Sequence, residues 1–469
     1  MLAATLATAG CAMGPEYQRP DMIVPTEYRW QERVDAEHDF GDLAWWQVYR
    51  DDQLQAILAL ALRENLDVRI AAARVEQARA ALGSTRLQAL PQIGASAGGQ
   101  RSRTSEYARL LPGQSAIGES RSASLDASYE IDLWGRLRRL NEAARAELLA
   151  SSYAQQSVAV ALIADVATAY FTLVTLDEQR AITDNTLATR SKFVDLTRAK
   201  HDRGIVSGLD VSSAESEFAT AQANKAEIER QAAQAEDLLS ILLGQNPGDV
   251  VRTHFTQRGQ LQLPEPPAGL PSALLERRPD VRRAEQNVIA ANARIGAAKA
   301  ALFPNISLTG SFGSVSRELD DLFTSPAQAW SAGLGVSLPI LDAQRNLYQI
   351  DLADARKREA LLGYQQAVQN AFREVADALV AREKYSEFQT AQQARVDALR
   401  RANNIALARY QVGYSSYFDV INSNRDLFNA ELQLSSAHLN ALLANVQLYE
   451  ALGGGWSAHD DAVAQQPAP

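Results

Sequence analysis

A chain of 469 residues carrying 46 Lys+Arg against 56 Asp+Glu has a formal charge of −10, and no block of basic residues supplies the electrostatic footprint of a nucleic-acid binder. Its single cysteine, Cys11, excludes a disulfide framework or a cysteine-based zinc site within one chain. No window approaches eighteen consecutive apolar residues, which leaves strands rather than a helix for any crossing of a bilayer.

In chain order, residues 1–10 are apolar or small and end directly on Cys11, as the tail of a bacterial lipoprotein signal does. They read as a signal remnant, with Cys11 as the residue that would carry lipid. Residues 11–50 read as a tether, because Gly14-Pro15-Glu16-Tyr17-Gln18-Arg19-Pro20 is extended, turn-rich and incompatible with helix. Beyond them the chain is duplicated. An offset of 213 sets Leu66-Asp67-Val68-Arg69 over Pro279-Asp280-Val281-Arg282 and pairs Val75 with Val288, Gly83 with Gly296 and Pro91 with Pro304. Further on, an offset of 209 pairs Gly204 with Gly413, Asp210-Val211 with Asp419-Val420 and Leu243-Gly244 with Leu452-Gly453. The repeats span 51–262 and 272–456, joined by a Pro-rich linker at 263–271 and followed by a disordered tail at 457–469.

Each repeat holds, besides helices, a strand pair, at about 91–133 and about 303–341. Ala123, Leu125, Ala127, Tyr129, Ile131 and Leu133 alternate with Ser122, Ser124, Asp126, Ser128, Glu130 and Asp132, and Trp330, Ala332, Leu334, Val336, Leu338 and Ile340 alternate with small or polar residues. Ten-residue strands with one apolar and one small polar face are the pattern of a transmembrane barrel lining water. Helices follow, from Trp134 to about Arg203 and from Ala343 to about Val412, free of proline and each roughly 100 Å long. The shorter helices after them keep one heptad seam, at 211, 214, 218, 221, 225, 228, 232, 235, 239 and 242 and again from Val420 to Ala451, rich in alanine and with Lys225 as its only charge. Alanine seams let backbones approach and favour a side-by-side helical wall.

The fold class is therefore mainly α with β: long antiparallel coiled-coil helices plus four transmembrane strands per chain. Four strands cannot close a barrel, and an open edge in lipid leaves backbone groups unsatisfied, so two, three or four chains must combine into 8, 12 or 16 strands. The same closure rolls the helices into a tube, and barrel plus tube make a duct.

The chain also resembles the outer-membrane lipoprotein subunits of tripartite efflux pumps, the TolC-like outer membrane efflux family, over nearly its whole length. The resemblance rests on Cys11 with Gly14-Pro15-Glu16-Tyr17, Trp45-Trp46 with Asp52-Gln53-Leu54, Tyr129-Glu130-Ile131-Asp132-Leu133-Trp134-Gly135-Arg136, Glu276-Arg277-Arg278-Pro279-Asp280-Val281, Leu338-Pro339-Ile340-Leu341-Asp342, Arg409-Tyr410 with Gly413, and Ala451-Leu452-Gly453-Gly454-Gly455-Trp456. It implies a homotrimer with a 12-strand barrel and a periplasmic α-helical barrel, anchored to outer-membrane lipid. It also implies partnership with a periplasmic membrane-fusion adaptor and an inner-membrane RND-type antiporter.

Function should concentrate where each long helix reverses into a short one. Gly204 and Gly413 permit the reversal, and Ile205, Val206, Val412 and Tyr414 are apolar at a tip with no core beneath, flanked by Ser207 and Ser415. The resemblance implies that six such tips dock onto the adaptor and close the distal aperture. Members of the family often carry an aspartate two residues after the second glycine; here that residue is Ser415, leaving Asp202, Asp210 and Asp419 as the nearest gate acids. The histidines His38, His201, His254, His438 and His459 are scattered, and no nucleophile elbow or phosphate loop exists, so no catalytic residues, metal or cofactor are expected. The same fold would also serve the duct of a type I protein-secretion system. A purely structural periplasmic coiled coil would leave the strands unused.

Overall fold

A computed structural model describes residues 12–22, 24–26, 28, 29, 49, 51–105, 107, 116–250 and 271–454. Cys11, Trp45-Trp46, the linker up to residue 270 and the tail at 457–469 lie outside the described residues. The elements run α1 (Asp52–Glu64), α2 (Leu66–Leu87), β1 (Gln92–Arg103), β2 (Ile117–Ile131), α3 (Arg136–His201), α4 (Gly208–Leu242), α5 (Pro271–Arg277), α6 (Pro279–Ala300), β3 (Asn305–Ser316), β4 (Gln328–Ser337), α7 (Ala343–Gln411) and α8 (Tyr417–Ala451). The proline-free stretches become single helices of 66 and 69 residues. Three expected apolar strand residues fall away: β2 stops at Ile131, short of Leu133, and β4 stops at Ser337, because Pro339 has no N–H for the ladder, so Leu338 and Ile340 lie beyond the sheet.

The duplication is legible in the bonding. Asn65 separates α1 from α2, its Oδ1 accepting from the N–H groups of Asp67 and Val68 at 2.8 and 3.2 Å, while its Nδ2 donates to Leu242 O at 2.9 Å. Arg278 holds the matching position between α5 and α6 and donates to Ala451 O, also at 2.9 Å. Gly244 and Gly453, both at positive φ, lie against the backbone of Glu64 and Arg277, again matching positions. A side chain at either glycine would meet both the left-handed backbone and a neighbouring chain segment.

The chain forms two compact units, one from Met1–Asp21, Arg74–Ser152 and Arg283–Gln365, the other from Met22–Ala73, Tyr153–Arg282 and Gln366–Pro469, so each unit draws on both repeats. The first contains one antiparallel sheet in the order β1-β2-β3-β4. The second contains the helical hairpins. Its α4 buries the predicted seam residues Ala214, Ala221, Ile228 and Leu239. In α8 the seam residues Val420, Ala430, Ala437, Ala444, Leu448 and Ala451 are buried, and so is a second stripe of Tyr417, Phe428, Ser435, Val446 and Tyr449. That stripe arises because α8 is flanked on two sides: Ser435 donates to Glu178 of α3, and Arg400 of α7 pairs with Glu431 at 2.9 Å. Lys225 is accommodated at the edge of its seam by Asp184 at 2.7 Å.

One sequence expectation needs correction. Helix α3 does hold an 18-residue window long and apolar enough to cross a membrane, with a mean hydropathy of 1.9, but 67% of that window is buried inside the fold. Val166, Ala167, Tyr170, Phe171 and Leu173 are its innermost residues. Their apolarity serves packing among helices.

Candidate channel wall and helical tips

The register of the sheet decides what each face presents. The pairs Ile93↔Ala127, Ala95↔Leu125, Leu125↔Phe312, Tyr129↔Leu308, Leu308↔Leu334, Phe312↔Trp330 and Ile306↔Val336 place the bulky apolar residues of all four strands on one face, with Val315, opposite Ser122, as the exception. The opposite face receives Ser96↔Ser124, Asp126↔Ser311, Ser128↔Thr309, Glu130↔Ser307, Thr309↔Gly333 and Ser311↔Ser331. No pairing in these ladders slips, so each strand keeps the same two faces along its paired length. Polar-face side chains bond one another, Ser96 Oγ to Asp126 Oδ2 at 2.9 Å, Ser124 Oγ to Asp126 Oδ2 at 3.0 Å and Ser311 Oγ to Ser331 Oγ at 3.0 Å. Leu125, Phe312, Trp330, Leu334 and Val336 stand exposed on the apolar face. An exposed apolar face of this extent is stable only against lipid or a partner.

The motif at the end of β2 builds the corner into α3. Glu130 receives both Nε and Nη2 of Arg136 at 2.9 and 2.7 Å, and Asp132 accepts the N–H groups of Leu137 and Arg138 at 3.0 and 2.9 Å, capping the helix. Trp134 stacks on Phe303 at 4.8 Å and donates to Pro304 O at 2.8 Å, tying this corner to the start of β3. The segment from Ala12 to Arg19 lies along α6 as a strap. Met13 N–H donates to Trp134 O, Arg139 Nε to Met13 O, Asn292 Nδ2 to Pro15 O, and Tyr17 OH to Glu285, which also receives Arg19. The sequence reading had only a tether here.

In the other unit the tips are paired constructions. Gly204, at φ +73, donates to His201 O, and Ile205 donates to Lys200 O; Gly413, at φ +83, donates to Tyr410 O, and Tyr414 to Arg409 O. This is the helix-ending pattern in which a left-handed glycine returns two N–H groups to the last turn. No atom lies within 4 Å of a Cβ built on either glycine, so backbone conformation alone calls for glycine. Ser207 and Ser416 then start α4 and α8 in capping boxes with Asp210 and Asp419. Two of the three candidate gate acids are thereby engaged at home: Asp210 Oδ2 accepts from Ser207 N–H and Oγ at 3.0 and 2.8 Å, and Asp419 Oδ2 from Ser416 N–H and Oγ at 3.1 and 3.0 Å. Asp202 is exposed, and Ser415 is half-buried.

Ile205, Val412 and Tyr414 are exposed at the tips, the last to 79%, whereas Val206 is half-buried with its carbonyl 3.1 Å from His201 Nδ1. Two tip residues escaped the sequence reading: Leu209 and Phe418, exposed to 75% and 66%. They occupy matching repeat positions, each two residues after the capping serine, and that register was the available signal. Beneath the tips, Val194, Ala214, Tyr417 and Val420 form a small core joined by Phe193, Phe218 and Tyr410. Lys200 donates to Tyr410 OH at 2.9 Å and lies 4.3 Å from its ring centroid, linking one hairpin to the other. Arg190, buried nearby, pairs with Glu217 at 3.1 Å and sits over the Phe428 ring; burial lowers the pKa of its guanidinium, against the pull of Glu217.

At the other end of α8, Glu450 borders a recess shared with Arg373, Glu374, Asp377 and Gln447. Although the residue is exposed at the surface, loss of water around its carboxyl, then repulsion from Asp165 and Glu374, push the pKa up to about 7, against the pull of Arg278.

With the faces, corners and tips in place, the comparisons with known proteins agree on one group. The chain matches the outer membrane efflux protein family at residues 57–245 and again at 270–454, one match per repeat. It is 37% identical over 461 residues to the solvent efflux pump outer membrane protein SrpC of Pseudomonas putida, covering 97% of each chain. It is 34% identical to the cation efflux system protein CusC of Escherichia coli, over 96% of this chain and 97% of that one. The open-state crystal structure of the MtrE outer membrane channel of Neisseria gonorrhoeae superposes with a TM-score of 0.86 at 32% identity, over 95% of this chain and 98% of MtrE. The chain belongs to the outer membrane efflux protein family, and its place is the outer membrane, extending into the periplasm.

Proposed function

We propose that the chain is one third of a passive conduit that carries small molecules or ions out of the cell, closed as a homotrimer and energised by other subunits. The observation that carries this reading is the sheet: four strands in continuous register, apolar on one face and small and polar on the other, with the outer edges of β1 and β4 unpaired among the described residues. In lipid those edges have to be satisfied, and three copies supply twelve strands, enough for a barrel with a water-filled interior. Ser, Thr and Asn side chains, with Asp126 and Glu130 among them, give the inner face hydrogen-bonding groups with little shape to select a substrate. Conduction needs no chemistry at the wall, and the function is transport rather than catalysis. The relatives act on solvents in one case and cations in another, which accords with selection by the pump partners.

The tips are read as the docking surface for a periplasmic membrane-fusion adaptor and, through it, an inner-membrane RND-type antiporter. Gly204, Ile205, Val206 and Ser207 with Val412, Gly413, Tyr414 and Ser415 form the contact, and Leu209 and Phe418 extend it. Cys11 is read as the lipidated residue; an unmodified Cys11 in mass spectra of the native full-length protein would refute that part. The main reading is tested by purifying the protein in mild detergent and adding it to planar bilayers. A mass of three chains with stepwise ion conductance supports the conduit. A single chain that never conducts would overturn it.

A further inference from the structure

The apolar face of the sheet does not stay apolar to its end. Along that face the residues run Ile131, Tyr129, Ala127, Leu125 and Ala123 on β2, then Arg121 and Glu119, and last Ile117, opposite Arg103. On β1 the same face runs Ile93, Ala95, Ala97 and Gly99, and then Arg101 and Arg103. The register places Arg121 opposite Gly99, and Arg101 opposite Glu119, in consecutive same-face rows. Glu119 is the one carboxylate on these strands at that level, and it is shared: Arg101 approaches it at 3.1 Å and Arg121 at 3.5 Å, while Arg121 also donates to Arg317 O. Among the described residues of β1 and β2, three guanidiniums stand against one carboxylate in this patch; Arg101 and Arg103 are exposed and Arg121 is half-buried. Glu318, Asp320 and Asp321 belong to the segment connecting β3 to β4, past the last paired row.

The depth of the patch can be worked out. From Ile131 to Ala123 the band covers about 27 Å along the strand at ~3.4 Å per residue, or about 21 Å along the membrane normal at a tilt of ~40°, close to the apolar height of an outer-membrane barrel. Arg121 lies four residues past Leu125, about 10 Å further along the normal. That is the level of headgroups. The arginines stand at the hairpin end of the strands, whereas the opposite ends lead into α2, α3, α6 and α7. With the helices in the periplasm, the arginines meet the external leaflet.

Resting on the reading of the apolar face as lipid-facing, we propose that Arg101, Arg103 and Arg121 dock the phosphate groups of lipid headgroups in the external leaflet. Guanidinium matches phosphate with paired N–H donors, and a weakly hydrated cation is suited to that half-wet level. The patch thereby fixes the height of the barrel in the membrane.

The test uses the full chain, its Arg101→Gln/Arg121→Gln variant and its Arg101→Lys/Arg121→Lys variant, each reconstituted in phosphatidylcholine vesicles containing diphosphorylated or dephosphorylated lipid A. Lipid A retained after gentle solubilisation is counted by mass spectrometry. The unaltered chain should retain the diphosphorylated form roughly tenfold better than the Gln variant. The Lys variant should keep most of that retention, and the dephosphorylated form should be lost from all three. Equal retention by the unaltered chain and the Gln variant, with both inserted, overturns the docking surface and leaves the lipid-facing wall standing. Equal retention of diphosphorylated and dephosphorylated lipid A by the unaltered chain would show that the headgroup phosphates are not what the arginines hold and overturn it too. Failure of every chain to insert would overturn the wall, and the proposal with it.

Discussion

Gly83 in α2 and Gly296 in α6 are the same position in the two repeats, yet one substitution should move them in opposite directions. Both are helical, so replacement by alanine gains about 1 kcal/mol of helix propensity at either site. At Gly83 a new Cβ meets no atom within 4 Å. At Gly296 it would fall 2.6 Å from Met13 O and 2.8 Å from Arg139 Cγ, because the N-terminal strap presses on the helix there. The strap resists from the other side as well, since Gly14 at φ +97 puts its own Cβ position 2.4 Å from Gly296 Cα. Relief requires the strap to lift. Lifting endangers the bonds from Arg139 to Met13 O at 3.1 Å and from Asn292 to Pro15 O at 2.9 Å, each contributing about 1 kcal/mol. Overpacking of this kind costs about 1–3 kcal/mol, more than the propensity gain. Gly83→Ala should therefore raise the thermal midpoint of the purified protein, whereas Gly296→Ala should lower it and speed proteolysis between Ala12 and Arg19. Shifts of the same sign and size would refute the claim that the strap is held by backbone contact at Gly296.

The strand faces give a second pair of outcomes: Leu334→Arg should destabilise the membrane-inserted protein by about 2–4 kcal/mol, and Ser331→Arg should chiefly change conductance. Equal losses of stability in heated reconstituted samples would mean that the faces are assigned wrongly. For Glu450 the folded chain holds the proton more tightly than the unfolded one, its pKa standing near 7, so its contribution to stability is full at low pH and falls as pH rises through the ordinary carboxylate range to about 7. Glu450→Gln should raise the thermal midpoint at about pH 8 and leave it unchanged near pH 4, and a pH-independent difference would refute the origin given for the shift. At the tips, each apolar side chain buried against a partner contributes roughly 1.5–3 kcal/mol, so Tyr414→Asp with Phe418→Asp should abolish efflux in a complemented deletion strain while insertion is retained; surviving drug or solvent tolerance at normal expression would put the contact elsewhere.

The strands were legible because each follows period two, and a one-residue error in register would have turned every apolar side chain to the wrong face. The long helices and their reversals were legible because absence of proline, glycine at 204 and 413 and a serine after each are local signals. The strap was not legible, for its hold on α6 depends on backbone carbonyls of Met13, Gly14 and Pro15 that no residue type announces. Asp210 and Asp419 were legible as caps from the Ser-x-x-Asp spacing, whereas Ser415 in place of the family's aspartate pointed to them as gate acids instead. The second stripe on α8 was hidden because a seam search finds one neighbour, and this helix has α3 and α7 on its two flanks.

The duplication also sets a limit on how symmetric any docking can be. The two tips share a glycine, a capping serine and an acid in register, so their backbones are built alike. Their exposed side chains diverge: Ile205 and Leu209 make one tip aliphatic, and Tyr414 and Phe418 make the other aromatic. The linking positions diverge in the same way: Asn65 donates to Leu242 O, and Arg278 keeps the matching bond to Ala451 O while adding ion pairs to Asp280 and Glu374, both at 2.7 Å. In the proposed trimer the distal ring would present three aliphatic and three aromatic tips in alternation. A partner with six equal binding elements would meet two kinds of surface, and aromatic rings carry a larger buried area and more specific contact geometry than aliphatic side chains. Affinity should then concentrate at the Tyr414 and Phe418 tips, with the Ile205 and Leu209 tips supplying the weaker half of the ring.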